Sequence, residues 1–470
     1  MSWETVIGLE VHCELSTRTK LFCSCPNEFG AAPNTNVCPV CLGLPGSLPV
    51  LNERVVEFAL RLGEALEFEV PAESIFARKN YFYPDMPKDY QVSQYEQPIL
   101  VNGRLEVDGT AVGIHRAHLE EDTGKTAHIS PTGRIHDAEY SLVDYNRAGV
   151  PLMEIVSEPE IRSSEQARSY VQELRATLEA LGVSDVKMEE GSLRIDANVS
   201  LRPDGASEFG TKVEVKNMNS LRSLGRALDY EVERQRGLLE AGEAVVQETR
   251  HWDEGDGRTK GMRSKEEAFD YRYFPEPDLV PVRPTAEWRD RVRATMPELP
   301  AARRARLIAE WEIREDDART LLASPEKIGL AEAAVALGAP AKRVANIVIN
   351  TPDVSALSAG HLAELVALEG DGTISKTVSK QVLDKVLAGE GSPREIVERE
   401  GLANESDEGE LASAVDAVVA GHPDEVAAYR EGDEGKRKKI RGFLMGQLMK
   451  QTQGKADPQT LNRLLDDRLP

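Results

Sequence analysis

The chain has 470 residues, about three times a common domain, so it can bury a full core in two or three domains. Its 40% hydrophobic and 29% charged residues exclude a mostly disordered or collagen-like chain, and 57 Lys plus Arg against 80 Asp plus Glu give a net charge of −23, which excludes a surface coated with basic groups for general nucleic-acid binding. No apolar run is long enough to span a bilayer and the N-terminus has no basic start before an apolar core, so a cytoplasmic protein is expected.

The first element reads as a strand. Ile7, Leu9 and Val11 alternate with Gly8, Glu10, His12 and Glu14, giving one apolar face and one face able to do chemistry. All five cysteines (Cys13, Cys23, Cys25, Cys38 and Cys41) lie in the first tenth of the chain, which is no disulfide framework. Cys23-x-Cys25 and Cys38-x-x-Cys41 flank a loop rich in Pro, Asn and Gly, a spacing suited to two knuckles of a tetrahedral zinc site. A closed four-thiolate site has no open position, so such a zinc would be structural. The alternative is four thiols buried without a metal.

Farther on, Arg78-Lys79-Asn80-Tyr81-Phe82-Tyr83-Pro84-Asp85 interleaves cations with aromatic rings, and Asp270-Tyr271-Arg272-Tyr273-Phe274-Pro275-Glu276-Pro277-Asp278 does the same. Both suit a phosphate with a base or ribose beside it, or else form rigid corners that hold loops to the sheet. Between them lie acids in unusual settings. Glu120, Glu121 and Asp122 follow His118, and Glu154 interrupts the apolar run 150–156. Glu10 and His12, two apart on a strand, share a face with their Cα atoms ~6.6 Å apart. Isolated carboxylates in strands cost free energy, so several on one face point to a Mg²⁺ site, although each alone also reads as part of a solvated face.

Ser163 with Gln166 reads as a capping box, Tyr170, Leu174, Leu178 and Leu181 as a helical stripe, and Gly182 as its stop. The clearest strand follows, with Leu193, Ile195, Ala197, Val199 and Leu201 alternating with Arg194, Asp196, Asn198, Ser200 and Arg202. Residues 211–216 set Val213 and Val215 against Lys212, Glu214 and Lys216, and Leu221, Leu224, Leu228, Val232 and Leu239 mark a second helix ending near Gly242. The expected class is α+β, an antiparallel or mixed sheet with one face covered by helices and one open.

A Pro-rich stretch runs to Pro300, and beyond it Ala, Leu, Glu and Arg recur at helical spacing. This divides the chain into a catalytic domain at 1–290 with the knuckle near 23–41, a helical domain at 291–405 and a tail domain at 406–470. Residues 398–435, with Glu405, Asp407, Glu408 and Glu410, read as an acidic hinge. Lys436, Arg437, Lys438, Lys439 and Arg441 then form a basic run before an apolar helix around 443–449; it is either a local patch for a polyanion or a solvated turn.

There is no G-x-x-x-x-G-K-[ST], no G-x-S-x-G and no H-E-x-x-H. The residues alone therefore lead to a Mg²⁺-dependent phosphoryl or carboxylate-activating site on an open sheet, beside a zinc knuckle.

These same residues resemble one family, the B subunits of the bacterial and archaeal aspartyl/glutamyl-tRNA(Asn/Gln) amidotransferases, almost end to end. The likeness is carried by Gly8 to His12, Val37 to Gly43, Arg78 to Asp85, His118 to Asp122, Asp144 to Leu152, Lys216-Asn217, Asp270 to Leu279, Gly446 to Lys450 and Lys455-Ala456. It implies a first domain like glutamine synthetase and guanido kinases, whose antiparallel sheet holds metal on its concave side. It implies phosphorylation by ATP and Mg²⁺ of the Glu or Asp carboxylate on misacylated tRNA, then displacement of the phosphate by ammonia. The metal-site residues it suggests are Glu10, His12, Glu121 and Glu154, with Glu120 the alternate to Glu121. Lys79, Tyr81, Asp196, Lys216 and Arg272 are expected around ATP and the acyl phosphate. Ammonia would come from an amidase-type A subunit, with a small C subunit to brace the contact, and the helical and tail domains would meet tRNA through Lys436 to Arg441. Cys13-Glu14 departs from the family pattern, and Glu14 is expected to add negative charge beside the metal. Two other classes share parts of this pattern: a free-standing ligase acting on small amino acids, and a zinc-bearing RNA-binding protein without catalysis.

Overall fold

The computed structural model describes residues 2–130, 138–261, 271–404, 408–452, 456 and 458–469, so Asp270, Glu405, Asp407 and Lys455 lie outside the described residues. The chain divides into two compact units, Met1–Pro300 and Ala301–Pro470.

In the first unit the strands are β1 (Trp3–Glu14), β2 (Ala77–Asn80), β3 (Tyr90–Ser93), β4 (Leu100–Val107), β5 (Thr110–Glu121), β6 (Lys125–Ile129) and β7 (Tyr140–Asp144). They continue as β8 (Pro151–Ser157), β9 (Leu193–Pro203), β10 (Val213–Lys216), β11 (Thr249–Asp253), β12 (Arg258–Gly261) and β13 (Phe274–Pro275). The helices are α1 (Glu53–Ala65), α2 (Ser164–Ala180), α3 (Leu221–Glu240) and α4 (Ala286–Arg293).

Eight strands form the main sheet in the order β12-β11-β10-β9-β1-β8-β5-β4. The sheet is mixed and not wholly antiparallel, because β10 and β11 run parallel, joined through α3. The alternation in β1 and β9 does what it predicts. Ile7, Leu9, Val11, Ile195, Ala197 and Val199 are buried in one core with Tyr170, Leu174 and Leu178 of α2 and Leu224 and Leu228 of α3. The polar residues between them face the other way.

One cap differs from the sequence reading. Ser163 accepts from the Gln166 amide at 3.1 Å, but the Gln166 side chain accepts from Arg162 N at 2.9 Å, one residue before the N-cap, so the box closes a step early. A small sheet of β13, β2 and β3 ties the two aromatic segments together: Arg78 pairs with Phe274 in register, and Asn80 bonds the carbonyls of Tyr271 and Arg272.

The second unit is helical in its described residues and has two apolar clusters, one drawn from Leu307 to Val397 and one from Leu411 to Leu469. The expected acidic hinge is largely helix. Glu408–Gly421 and Pro423–Glu431 are both helical, and Leu411, Val415 and Val418, at helical spacing, are buried. The basic run and the apolar segment after it form one helix, Glu434–Gln451.

Candidate active site and metal centre

Register builds the site. His12 on β1 faces Glu154 on β8, and Glu154 faces His118 on β5, so three neighbouring strands place these side chains in one row on the open face. Glu120, two residues beyond His118, points the same way. His12 Nε2 lies 3.6 Å from Glu154 Oε2 and 3.9 Å from Glu120 Oε1, and one donor atom from each of the three falls within 4.8 Å of the others. His118 closes the far side, its Nε2 3.2 Å from Glu154 and 3.8 Å from Glu120.

The electrostatics keep both carboxylates charged. Burial opposes ionisation of Glu154, but the charge and hydrogen bond of His118, with His12 and Lys79, outweigh it and hold the carboxyl well below its usual range. Glu120 is lowered against burial by its hydrogen bond to His118. Burial pulls His118 down, yet Glu154 and Glu120 lift it to about 9. One imidazole and two ionised carboxylates make a hard, oxygen-rich donor set that fits Mg²⁺.

Other expected residues fall at different distances from this cluster. Lys79 stands beside it: burial works against its charge, but Glu120 and Glu154 hold the ammonium above the ordinary lysine value, and Nζ lies 4.8 Å from the centre of the Tyr271 ring. Glu10 shares the face but is bonded to Asn198 at 2.9 Å and raised by burial and by Glu154. Asp196, opposite Glu10, pairs with Lys216 at 2.6 Å, and Lys216 also reaches Glu214 at 2.8 Å. Tyr81 stacks on Tyr83, and Arg272 is exposed with a left-handed φ of 42°.

Glu121 corrects the preference for it over Glu120. Neighbours on a strand point to opposite faces, and Glu121 turns from His12 to a buried ion pair with Lys88 and a 2.9 Å bond from Val92 N. Burial, with the negative charge of Asp122, raises the Glu14 carboxyl to about 8, while Arg194 and Arg147 hold the buried Asp122 below its ordinary value. In the sequence His118 is named without an assigned role and Lys88 is passed over. The signal for His118 is its spacing, two residues from Glu120 on the same strand face.

Cys23, Cys25, Cys38 and Cys41 converge as a second cluster, and Cys13 is buried apart from them. The Cys41 thiol is lowered to about 5 by a hydrogen bond from Cys23 against burial, helped by the Cys38 amide at 3.1 Å and by the buried Lys20, whose Nζ lies 3.7 Å from the sulfur. Four sulfurs, one of them the lowered Cys41 thiol, suit a tetrahedral metal.

On the helix Glu434–Gln451 the basic run divides. Arg441 pairs with Asp466 at 2.6 Å, and Arg437 donates to the carbonyls of Tyr429 and Arg430 at 3.1 Å. Lys436, Lys438 and Lys439 are exposed.

Comparison with known proteins decides the family. The GatB/GatE catalytic domain matches residues 5–290, and the GatB domain matches residues 331–469. The chain belongs to the family of aspartyl/glutamyl-tRNA(Asn/Gln) amidotransferase B subunits. The B subunit of Thermosynechococcus vestitus is 50% identical over 491 residues, covering 100% of this chain and 97% of its own. Those of Frankia casuarinae and Persephonella marina are 51% and 49% identical, covering 99% and 100% of this chain and 96% and 100% of their own. Membership of the family therefore spans both compact units. No helix among the described residues is long and apolar enough to cross a membrane.

Proposed function

We propose that this protein activates the side-chain carboxylate of Glu or Asp misacylated onto tRNA and converts it to the amide, giving Gln-tRNA(Gln) or Asn-tRNA(Asn). A carboxylate oxygen bonds to the γ-phosphorus of ATP as the bond to the β-bridging oxygen breaks, and ADP leaves with the electron pair. Ammonia then bonds to the acyl carbon and inorganic phosphate departs. The observation that carries this reading is the His12, Glu120 and Glu154 cluster on the open sheet face with Lys79 at its edge.

His12, Glu120 and Glu154 would hold Mg²⁺, which when bound reduces the repulsion between the attacking carboxylate and the γ-phosphate. Lys79 offers a cation to the transferring phosphoryl, and the Lys216 ammonium, fixed by Asp196 and Glu214, offers a second farther along the face. Tyr81 and Arg272 serve the nucleotide from the aromatic corner. The mixed sheet with helices on one face supports a cradle of the glutamine-synthetase and guanido-kinase type. Zinc at the four cysteines is structural.

Ammonia comes from an amidase-type A subunit, and a small C subunit makes the assembly a cytoplasmic heterotrimer. Residues 291–405 and 406–470 act as helical and tail domains that hold tRNA. The test is ATP turnover and amide formation by the co-expressed complex with Glu-tRNA(Gln) against free glutamate. Dependence on the charged tRNA supports the reading, and equal use of free glutamate gives the protein to the small-molecule ligases.

A further inference from the structure

The row that holds the metal-site residues has a fourth member. On β9, Arg194 is the cross-strand partner of His12, so Arg194, His12, Glu154 and His118 stand side by side across four strands on the open face. Arg194 closes the end of the row opposite His118.

Its support is built from the interior. Asp122, with its side chain 4% exposed, accepts from Arg194 Nη2 at 2.9 Å, from the Thr123 amide at 2.8 Å, and lies 3.5 Å from Arg147. The other guanidinium, Arg147, is committed to the carbonyls of Thr123 and Gly124 at 3.0 Å. Arg194 has no second hydrogen-bond partner among the described residues, and a third of its side chain is exposed. A buried carboxylate thus fixes one edge of a planar fork whose remaining N–H groups stay available beside His12. An isolated cation on a strand face needs no such anchor. A guanidinium that must meet a tetrahedral anion in one orientation does.

We propose that Arg194 is a catalytic residue that grips the γ-phosphoryl group of ATP from the β9 side, opposite the carboxylates of Glu120 and Glu154. Asp122 is its positioning residue. The assignment rests on the function proposed above and adds to it the group that contacts the transferring phosphoryl. As the substrate carboxylate oxygen bonds to the γ-phosphorus and ADP leaves, Arg194 keeps its bonds to the equatorial oxygens and moves no proton.

The test uses the assembled complex with Arg194→Lys and Arg194→Gln, and equilibrium binding of magnesium AMPPNP and magnesium ADP. A γ-phosphate contact predicts ADP affinity within about twofold of wild type and AMPPNP affinity lowered about tenfold or more, the scale of a lost charged hydrogen bond, with kcat for amidation falling about 10²-fold. Arg194→Lys fails as well, because an ammonium cannot reproduce the fork. Equal weakening of both nucleotides would make Arg194 a structural partner of Asp122, and unchanged affinity for both would remove it from the site. If wild-type complex binds neither nucleotide, the function proposed above fails before this assignment is reached.

Discussion

His12 and Glu154 stand opposite each other on β1 and β8, and their Nε2 and Oε2 atoms are 3.6 Å apart with Glu120 beside them. The pair is made by register alone, since 142 residues separate the two in sequence. Glu154→Gln or Glu120→Gln keeps the shape and removes one charged donor. Each should leave folding and complex assembly intact and cut ATP-dependent amidation about 10²-fold or more, the scale of one preorganised electrostatic contact. Ammonium salts should not restore it, because activation precedes ammonia attack. Wild-type amidation from ammonium in both variants would move the activating site elsewhere.

Glu121 gives the contrasting outcome. Its carboxylate and Lys88 form an ion pair with side chains only 4% and 9% exposed. Glu121→Gln leaves Lys88 a buried cation without its counter-charge, which costs about 3 kcal/mol or more of stability. The loss should appear as a lowered melting temperature of the purified chain. Unchanged melting would mean that water already compensates Lys88.

The sheet and half of this site were legible in sequence for a simple reason: alternation in β1 and β9 is uninterrupted, and an acid inside an apolar run, as at Glu154, has few structural explanations. The choice between Glu120 and Glu121 was not legible. It depends on strand phase, and β5 carries an irregularity between Ile114 and Arg116 that shifts the phase before those acids are reached. The raised Glu14 carboxyl was hidden because its causes, burial first and then Asp122 from a distant strand end, come from the fold. The acidic hinge misled because charge dominated the reading there, while Leu411, Val415 and Val418 kept helical spacing beneath it.

For the cysteines the expectation is one zinc per chain at Cys23, Cys25, Cys38 and Cys41, with Cys13 inert. Cys13 is fully buried and its thiol is raised to about 12 by burial. A thiol reagent should therefore find no reactive cysteine in the native chain, four after the metal is chelated, and the fifth only on denaturation. Metal analysis of fresh protein showing no zinc would end this assignment. Cys41→Ser should lower stability more than it lowers turnover of the surviving protein, because a closed site does no chemistry.

The tail prediction follows from how the helix Glu434–Gln451 divides its basic run. Lys436, Lys438 and Lys439 are exposed, while Arg437 and Arg441 are occupied with Tyr429, Arg430 and Asp466. Phosphate contacts release counterions, so each lysine that meets tRNA steepens the fall of affinity with salt by close to one unit of slope. Replacing the three lysines with Ala should weaken tRNA binding and reduce that slope by about 2 to 3, while tRNA-independent glutaminase activity of the complex stays intact. Arg441→Ala should leave the slope alone and cost less than about 1 kcal/mol of stability, since its pair with Asp466 is solvent-exposed. A triple-lysine variant with the wild-type salt slope would make the run a solvated helix face, and an Arg441 variant that lost slope would place tRNA on the opposite side of this helix.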